Sequence, residues 1–338
     1  MLAISLRTVF GLLLLLFWQC EETVISEKIN GISLVATGDS LSRNQVKPVV
    51  AMHANYIAIM PFGFIKETAT PEIVFNRNRQ WYGETSEGVA QYIQLLHEHG
   101  FEVMMKPQLW IGHGNYTGHM KMPSEAAWKE LEASYRDFIL EFATVAETSN
   151  VAMLCIGTEL DQFIQERPEY WNRLIEEIKT VFSGKLTYAA NWDEYSRVPF
   201  WDQMDFIGVD AYFPVSEEEI PSLSVARAGW QPWKSALQAF SETSKRPILF
   251  TEYGYRDITY AGKEPWASHR EGVTVNADAQ VTLLTSLYEE LWLEPWFAGG
   301  FLWKWHPTHH RVERWTEGQF SPQKKPAEDV IRSYYKEF

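Results

Sequence analysis

The stretch PILFTEYGY, residues 247–255, carries a strand-like apolar run that ends in a carboxylate, Glu252. A short continuous run of β-branched and aromatic residues is typical of a buried strand. A lone glutamate at the end of such a strand is as consistent with ordinary solvation as with function. The stretch VAMLCIGTEL, residues 151–160, repeats the arrangement with Glu159. This repetition favours a parallel sheet that carries two carboxylates at one edge.

Short apolar runs alternate with longer helical patterns from residue 30 onward. This alternation is typical of repeated βα units around a parallel sheet. The runs predict eight strands, near 32–36, 56–60, 102–106, 152–156, 186–190, 206–209, 248–251 and 300–303. The helical patterns lie near 42–53, 86–99, 124–147, 169–182, 230–243, 277–292 and 326–336. No linker rich in Pro, Gly or Ser divides the chain, so we expect a single-domain α/β fold, the (β/α)8 TIM barrel.

Length and composition agree with one globular domain. The 338 residues accommodate a (β/α)8 barrel, which commonly takes about 250 residues plus insertions. The formal net charge of -14 argues against a nucleic-acid partner, because such proteins present a basic surface. The 15 tryptophans favour a carbohydrate ligand, since sugar faces pack on aromatic planes, although Trp is also an ordinary core residue.

The start of the chain predicts a processing segment and not a part of the fold. One basic residue precedes an apolar run at 9–18, which is too short to span a bilayer but suits a secretory signal. The run ends at Cys20 and resembles a bacterial lipoprotein signal, in which that cysteine is lipidated, although the three residues before it are larger than usual. A signal cut elsewhere and an uncleaved anchor are the alternatives. We expect a signal at 1–20, a tether at 21–30, a folded domain at 31–338, and an exported protein held at the bacterial cell envelope through its lipid alone.

Polar and aromatic residues follow the predicted strands at their carboxyl ends. In a (β/α)8 barrel those ends form the face on which active sites are built. Hydrogen-bonding groups interleaved with flat apolar rings suit a sugar cleft. The residues concerned are Lys106, Gln108, Trp110, Thr158, Glu159, Asn191, Trp192, Asp193, Asp210, Tyr212, Glu252, Trp303, Lys304 and Trp305.

Two carboxyl groups in different environments can hydrolyse a glycosidic bond, one as a proton donor and one as a nucleophile. The strands that carry Glu159 and Glu252 are the fourth and seventh, which face each other across the barrel mouth. We expect their carboxyl groups to lie about 5–5.5 Å apart, the separation of a retaining enzyme. Asp193, Glu194 and Asp210 are alternative carboxylates, and Asp210 is the most serious because it also ends a strand.

Several motifs resemble those of known glycosidases. A glutamate pair at the ends of the fourth and seventh strands resembles clan A of the glycoside hydrolases. The segments IGTEL, DFIGVDAYFP, PILFTEYGY, GGFLWKW and FSPQKKPAEDVI are similar to family 113, whose members are β-mannanases. The resemblance implies that Glu159 is the general acid/base, that Glu252 is the nucleophile, that Tyr212 donates a hydrogen bond to Glu252, and that Trp303 forms the floor of the central subsite.

Two departures from the clan affect substrate binding. Thr158 stands where the clan has an asparagine before the acid/base, and the second strand offers no arginine. Asn191 is our candidate for the missing hydrogen bond to the 2-hydroxyl of the sugar. Lys106, Gln108 and Trp110 are further candidates for substrate binding, because they follow the third strand; a lysine whose stem merely covers apolar surface is the alternative for Lys106.

Cofactor and metal sites are not expected. The sequence carries no phosphate-binding glycine loop and no Ser-His-Asp arrangement. The histidines of WHPTHH, residues 305–310, lie in a proline-containing loop, whereas metal ligands usually sit on rigid elements. The long loop at 256–276 has the length to wall one side of the cleft, where Trp266 or His269 could reach a distal subsite.

The sequence therefore predicts a monomeric retaining glycosidase that cleaves β-1,4-mannosidic bonds in mannan, glucomannan or manno-oligosaccharides. Two alternatives stay open at this point. One is another clan A specificity, an exo-β-mannosidase or a β-glucanase. The other is a surface lipoprotein that binds glycans without cleaving them, although such a protein has no need of a paired acid and nucleophile.

Overall fold

The computed structural model describes residues 28–267, 272–314 and 316–338. The predicted signal, Cys20 and most of the predicted tether lie outside these residues, as does His269. In chain order the strands are β1 (Ile29–Leu34), β2 (Tyr56–Ile59), β3 (Phe62–Glu67), β4 (Thr70–Val74), β5 (Glu102–Met105), β6 (Gln108–Ile111), β7 (Met153–Thr158), β8 (Lys185–Asn191), β9 (Ile207–Asp210), β10 (Ile248–Tyr253) and β11 (Phe297–Trp305).

Eight of these strands close into a barrel in the order β1-β11-β10-β9-β8-β7-β5-β2. Every pairing in the barrel is parallel. All eight predicted strands are present, so the predicted (β/α)8 barrel is confirmed. Closure in this order brings the ends of the fourth and seventh barrel strands, β7 and β10, to one rim.

Helices connect the strands and cover the barrel. Within the described ranges the α-helices are α1 (Arg43–Val50), α2 (Ser86–Glu98), α3 (Glu125–Thr148), α4 (Asp161–Glu166), α5 (Pro168–Val181), α6 (Leu223–Ser244), α7 (Ala277–Leu291) and α8 (Pro326–Glu337). Single turns of 3-10 helix lie at Tyr82–Glu84, Gly112–Gly114, Thr117–His119, Tyr195–Arg197 and Trp201–Gln203, and a longer one at His309–Arg314.

Helix α5 shows how the sequence sets these elements. Pro168 occupies the first turn, where its missing N–H is not needed. The buried residues of α5 recur at helical spacing and form one stripe against the barrel. They are Tyr170, Trp171, Leu174, Ile175 and Ile178.

A three-stranded sheet, β4-β3-β6, lies beside the barrel and was not predicted. Strands β3 and β6 continue the parallel pair β2 and β5 beyond Pro61 and Pro107. The pairing persists through these prolines, since Lys106 N–H donates to Ile59 O and Gln108 N–H donates to Pro61 O, both at 2.9 Å. Proline usually marks the end of a strand, which is why the sequence did not indicate this extension.

Two helices also differ from the prediction. Helix α6 begins at Leu223 rather than at 230, capped by the Ser222 hydroxyl, and it contains Pro232. An interior proline removes one helical hydrogen bond and is usually tolerated only in the first turn, so the sequence favours a helix that begins near Pro232. The short α4 was also not predicted. No helix in the described part of the chain is long and apolar enough to cross a membrane.

The core has two parts. The larger lies between the strands and the helices and is rich in aromatic rings. The smaller consists of strand residues that fill the barrel interior: Ile29, Ala58, Met104, Met153, Cys155, Ala189, Leu249 and Phe301. This apolar plug supports the polar groups at the carboxyl ends of the strands.

Candidate active site

Glu159 follows the last residue of β7 in an unusual backbone conformation. Its φ of 49° lies in the left-handed region, which costs a residue other than glycine about 1–3 kcal/mol. Its N–H donates to Ala189 O at 2.8 Å, which ties the turn to the neighbouring strand β8. Backbone strain of this kind is concentrated at functional sites, where the fold fixes a side chain in a required direction.

Glu252 lies near the end of β10, where the strand is irregular. The register shifts between Phe250 and Glu252 against β9, and between Phe250 and Tyr253 against β11. Such irregularities re-aim side chains. As a result the consecutive residues Thr251 and Glu252 both contact groups at the barrel mouth, whereas regular alternation would turn one of them away.

Both glutamates line one cavity of about 560 Å³ at the carboxyl ends of the strands. A cavity of this size is ordinary for a small-molecule site. Side chains from several strands and loops complete its wall: Tyr116, His119, Asn191, Asp193, Glu194, Tyr212, Trp266, Trp303 and Phe320.

The carboxylate of Glu252 is surrounded by hydrogen-bond donors. Lys106 Nζ reaches Oε1 at 2.5 Å, and Gln108 Nε2 donates to the same oxygen at 3.0 Å. Tyr212 Oη donates to Oε2 at 2.7 Å, as the resemblance implied. Donors and a nearby cation favour the charged form of a carboxylate and fix its orientation. Three side chains therefore hold the Glu252 carboxyl group in one orientation at the cavity wall.

Lys106 lies beneath Glu252 and does not reach the cavity. It is fully buried, and its ammonium also contacts both oxygens of Asp210, at 3.1 and 3.3 Å. Burial lowers the pKa of this lysine, but the charges of Asp210 and Glu252 outweigh burial and raise it. Lys106 is absent from the cavity wall, so its position gives no support to its predicted role in substrate binding. Its contacts make it a positioning residue for Glu252.

Asp210 is the counter-ion of this buried lysine. It is 1% exposed, accepts a hydrogen bond from Thr251 Oγ1 at 2.8 Å, and is absent from the cavity wall described above. Burial, followed by the charge of Glu252, raises its pKa to about 7, while Lys106 opposes the shift. Asp210 therefore does not compete with Glu159 or Glu252 for direct contact with substrate.

The surroundings of Glu159 contrast with those of Glu252. Within the described residues no hydrogen bond to its carboxyl group is found. Burial, then the charges of Asp210 and Glu252, raise its pKa well above the ordinary value, and the charge of Lys106 only partly offsets them. A carboxyl group that stays protonated near neutral pH can donate a proton to a leaving oxygen.

Aromatic rings form the apolar part of the cavity. Trp303 lies near the end of β11, where the resemblance placed the floor of the central subsite, and the rings of Phe320 and Tyr212 pack at 5.6 Å. Trp266 belongs to the long loop after β10 and stacks on Trp192, with ring centroids 5.0 Å apart.

The remaining predicted residues divide between the cavity and its surroundings. Asn191 lines the cavity, and its Oδ1 accepts a hydrogen bond from Trp192 N–H at 2.9 Å. Gln108 donates a hydrogen bond to Glu252 and is absent from the cavity wall. Trp110 is 50% exposed on β6, packs against Phe64 at 6.3 Å, and is absent from the cavity wall. The position of Trp110 thus gives no support to its predicted role in substrate binding.

Sequence reasoning missed three residues of the cavity wall: Tyr116, His119 and Phe320. The first two follow the unpredicted strand β6, and the third precedes α8. Their signal was only their position in loops after barrel strands. The Tyr116 hydroxyl is buried with no hydrogen-bond partner in the described part of the chain.

The histidines after β11 have structural contacts. The ring of His309 stacks on Trp305 at 5.3 Å, and its Nδ1 lies 3.1 Å from Gln323 Nε2. Burial lowers the pKa of His306 to about 4. Among the residues that the structure describes, no group of three or more His, Cys, Asp or Glu side chains could hold a metal ion.

Comparisons with known proteins concern the fold and the family of the chain. No curated protein sequence matches the chain. Among solved structures, the GH113 beta-mannanase AaManA from Alicyclobacillus acidocaldarius, in complex with ManMIm, is 22% identical, with a TM-score of 0.78 over 92% of this chain and 98% of that one. The structure of a complex of a GH113 beta-1,4-mannanase is 21% identical, with a TM-score of 0.79 over 93% and 100%.

A beta-glucuronidase from Faecalibacterium prausnitzii is also similar in fold, at 16% identity and a TM-score of 0.60, over 92% of this chain and 49% of that one. The family description Glycoside Hydrolase Family 113 matches residues 37–324, which is most of the chain. The chain therefore belongs to glycoside hydrolase family 113 and is a glycosidase.

Proposed function

We propose that this glycosidase is a retaining β-1,4-mannanase, with Glu252 as nucleophile and Glu159 as general acid/base. The observation that carries the assignment is the contrast between the two glutamates of one cavity. Glu252 accepts hydrogen bonds from three side chains, and Glu159 has a raised pKa caused first by burial. A retaining enzyme needs this pair of an anion and a protonated acid.

The reaction proceeds in two steps. In the first, Glu159 gives its proton to the glycosidic oxygen while a Glu252 oxygen bonds to the anomeric carbon, so that the leaving sugar departs with a free hydroxyl. In the second, the Glu159 carboxylate takes a proton from water, the hydroxide oxygen bonds to the anomeric carbon, and the bond to Glu252 breaks. Both residues return to their starting forms.

The charge of the cavity favours a neutral sugar. Four carboxyl groups line it, from Glu159, Asp193, Glu194 and Glu252. A uronic acid would bring a further negative charge to this acidic wall, which is unfavourable at close range. Mannan, glucomannan and manno-oligosaccharides are uncharged. The two GH113 structures compared above are described as mannanases, which also supports this substrate class.

A substrate panel tests the specificity. We expect wild type to release reducing ends from mannan and glucomannan, in mixed lengths, and to leave cellulose intact. Glu159→Gln serves as the control for contaminating activity. Faster release from cellulose than from mannan would contradict the substrate assignment, and release of single mannose units alone would indicate an exo-acting enzyme.

Azide tests the roles of the two glutamates. With an activated aryl β-mannoside, azide should restore turnover of Glu252→Ala and give the α-mannosyl azide, because it attacks from the face that the nucleophile occupied. In Glu159→Ala, azide attacks the covalent intermediate and should give the β-mannosyl azide. If the two variants give the opposite anomers, the roles are reversed.

For the N-terminal segment we propose export and lipid attachment at Cys20, on the strength of the apolar run before it. Cells supplied with radiolabelled palmitate should label the full-length protein and not Cys20→Ala. Equal labelling of both would contradict attachment at this residue.

A further inference from the structure

The cavity has one half beside Glu159 and another beside Glu252. In the barrel order β8 neighbours β7, so the chain that follows β8 flanks Glu159. In the same way β9 and β11 neighbour β10, and they bring Tyr212 and Trp303 to the side of Glu252. The acid protonates the oxygen of the leaving sugar, so the leaving sugar must occupy the half beside Glu159.

An exposed aromatic stack reaches this half from the loop after β10, the strand that carries Glu252. Trp192 directly follows β8, and its ring stacks on Trp266 at 5.0 Å and 23°. Trp192 is held from behind by Trp233, at 5.5 Å and 82°, and by Phe213, at 5.9 Å. Trp266 is 43% exposed, and it belongs to the cavity wall. A flat ring fixed in this way is suited to packing on the apolar face of a pyranose.

Polar groups suited to sugar hydroxyls lie in the same half. Glu194 lines the cavity but is only 8% exposed, and Arg197 Nη2 lies 3.5 Å from its Oε1. Asp193 is its exposed neighbour in the same wall. Carboxyl oxygens accept hydrogen bonds from hydroxyl groups, and a sugar that packs on a ring still needs such partners at its edge.

We propose that Trp266, backed by Trp192, is a binding platform for the leaving-group sugar of a neutral oligosaccharide, with Glu194 as a hydrogen-bond acceptor for its hydroxyls. This inference rests on the proposed function, because the direction of the substrate is set by the role of Glu159. It adds a specificity-determining subsite outside the pair of glutamates. Substrates with a sugar on the leaving side gain from the platform, and substrates with a small leaving group do not.

The test compares two substrates with the same glycone and different leaving groups. Mannotetraose leaves a sugar in the proposed subsite, whereas β-mannobiosyl fluoride releases only fluoride. We expect Trp266→Ala to lower kcat/KM for mannotetraose by about tenfold, the scale of a lost aromatic contact, and to leave that for the fluoride unchanged. Trp266→Phe should recover most of the loss.

Trp110→Ala is the matched control, because Trp110 is a tryptophan of similar exposure, 50%, that is absent from the cavity wall. This variant should leave kcat/KM unchanged for both substrates. An equal loss on both substrates in Trp266→Ala would place this ring beside the glycone or show a general structural defect. No loss on either substrate would show that Trp266 does not bind the leaving-group sugar. Either result overturns the inference. If wild type cleaves neither substrate, the proposed function fails instead.

Discussion

Glu159 and Glu252 occupy equivalent places, each at the end of a barrel strand, but their surroundings differ in almost every respect. Glu252 accepts hydrogen bonds from Lys106, Gln108 and Tyr212. Glu159 sits in a left-handed turn, and its pKa is raised by burial and by the charges of Asp210 and Glu252. Equivalent positions in a symmetric fold therefore give two carboxyl groups with different electrostatic surroundings.

The difference originates below the cavity. Lys106 Nζ contacts Glu252 and Asp210 but is not bonded to Glu159. The cation thus stabilises one glutamate directly, while burial and then the charges of Asp210 and Glu252 raise the pKa of the other. A buried lysine with two acidic partners is costly to assemble, and its benefit here is the electrostatic contrast between the two glutamates.

Removal of the nucleophile should have the largest effect. Glu252→Gln keeps the shape of the side chain but cannot form the covalent intermediate, so we expect kcat/KM on mannan to fall by at least about 10⁴-fold. The loss should be equal for every substrate, whatever its leaving group. A melting temperature near that of wild type would show that the fold is intact. A loss of activity that depends on the leaving group would contradict the assignment of Glu252 as nucleophile.

Removal of the acid should cost less and should depend on the leaving group. Glu159→Gln cannot donate a proton, so we expect a loss of roughly 10³-fold on mannan. A 2,4-dinitrophenyl β-mannoside needs no protonation, and its first step should stay close to the wild-type rate in a burst experiment. An equal loss on both substrates would mean that Glu159 is not the acid.

Lys106→Met tests whether the contrast depends on the buried cation. Glu252 loses its 2.5 Å contact and Asp210 loses its counter-ion, so we expect kcat/KM to fall by about 10²-fold. Lys106→Arg should recover part of the activity, because it restores the charge. Activity near that of wild type in a folded Lys106→Met would show that the lysine does not position Glu252.

Lys185→Met is the control for the loss of a lysine. Its ammonium contacts Asp205 at 3.0 Å in an ion pair that is exposed, with the lysine side chain 63% accessible. Exposed pairs of this kind contribute about 0–1 kcal/mol, so neither activity nor the melting temperature should change much.

The barrel and its two glutamates could be predicted from the sequence, because both depend on local patterns. Apolar runs mark the strands, and the order of the strands fixes which residues reach the rim. The extension of the sheet could not be predicted in this way. Strands β3 and β6 continue past Pro61 and Pro107 through hydrogen bonds that a proline would normally end.

The hydrogen-bond network below Glu252 could also not be predicted from local sequence patterns. Lys106 is 104 residues from Asp210 and 146 from Glu252 in the chain, so nothing near it indicates its partners. A lysine at a strand end usually reaches solvent, and no local pattern indicates that two carboxylates hold this one inside. Trp110 is absent from the cavity wall for a related reason, since it lies on the unpredicted strand β6.

The smallest effect should be a displaced pH profile in Asp210→Asn. The charged groups that act on Glu159 are Asp210, Glu252, Lys106 and Glu194, and the negative charge of Asp210 raises the Glu159 pKa. Activity is lost at high pH as Glu159 gives up its proton, so removal of the Asp210 charge should lower this pKa and move the basic limb of kcat/KM to lower pH. The positive charge of Lys106, no longer neutralised by Asp210, should also lower the Glu159 pKa. We expect a displacement of about one pH unit.

Thr251→Val is the matched control for this displacement, because it removes the 2.8 Å hydrogen bond to Asp210 and no charge. Its basic limb should stay close to that of wild type, even if its stability falls. A shift to higher pH in Asp210→Asn, or an equal shift in both variants, would mean that packing and not charge sets the proton affinity of Glu159. Burial, the largest cause of the raised Glu159 pKa, would then account for that shift without the charge of Asp210.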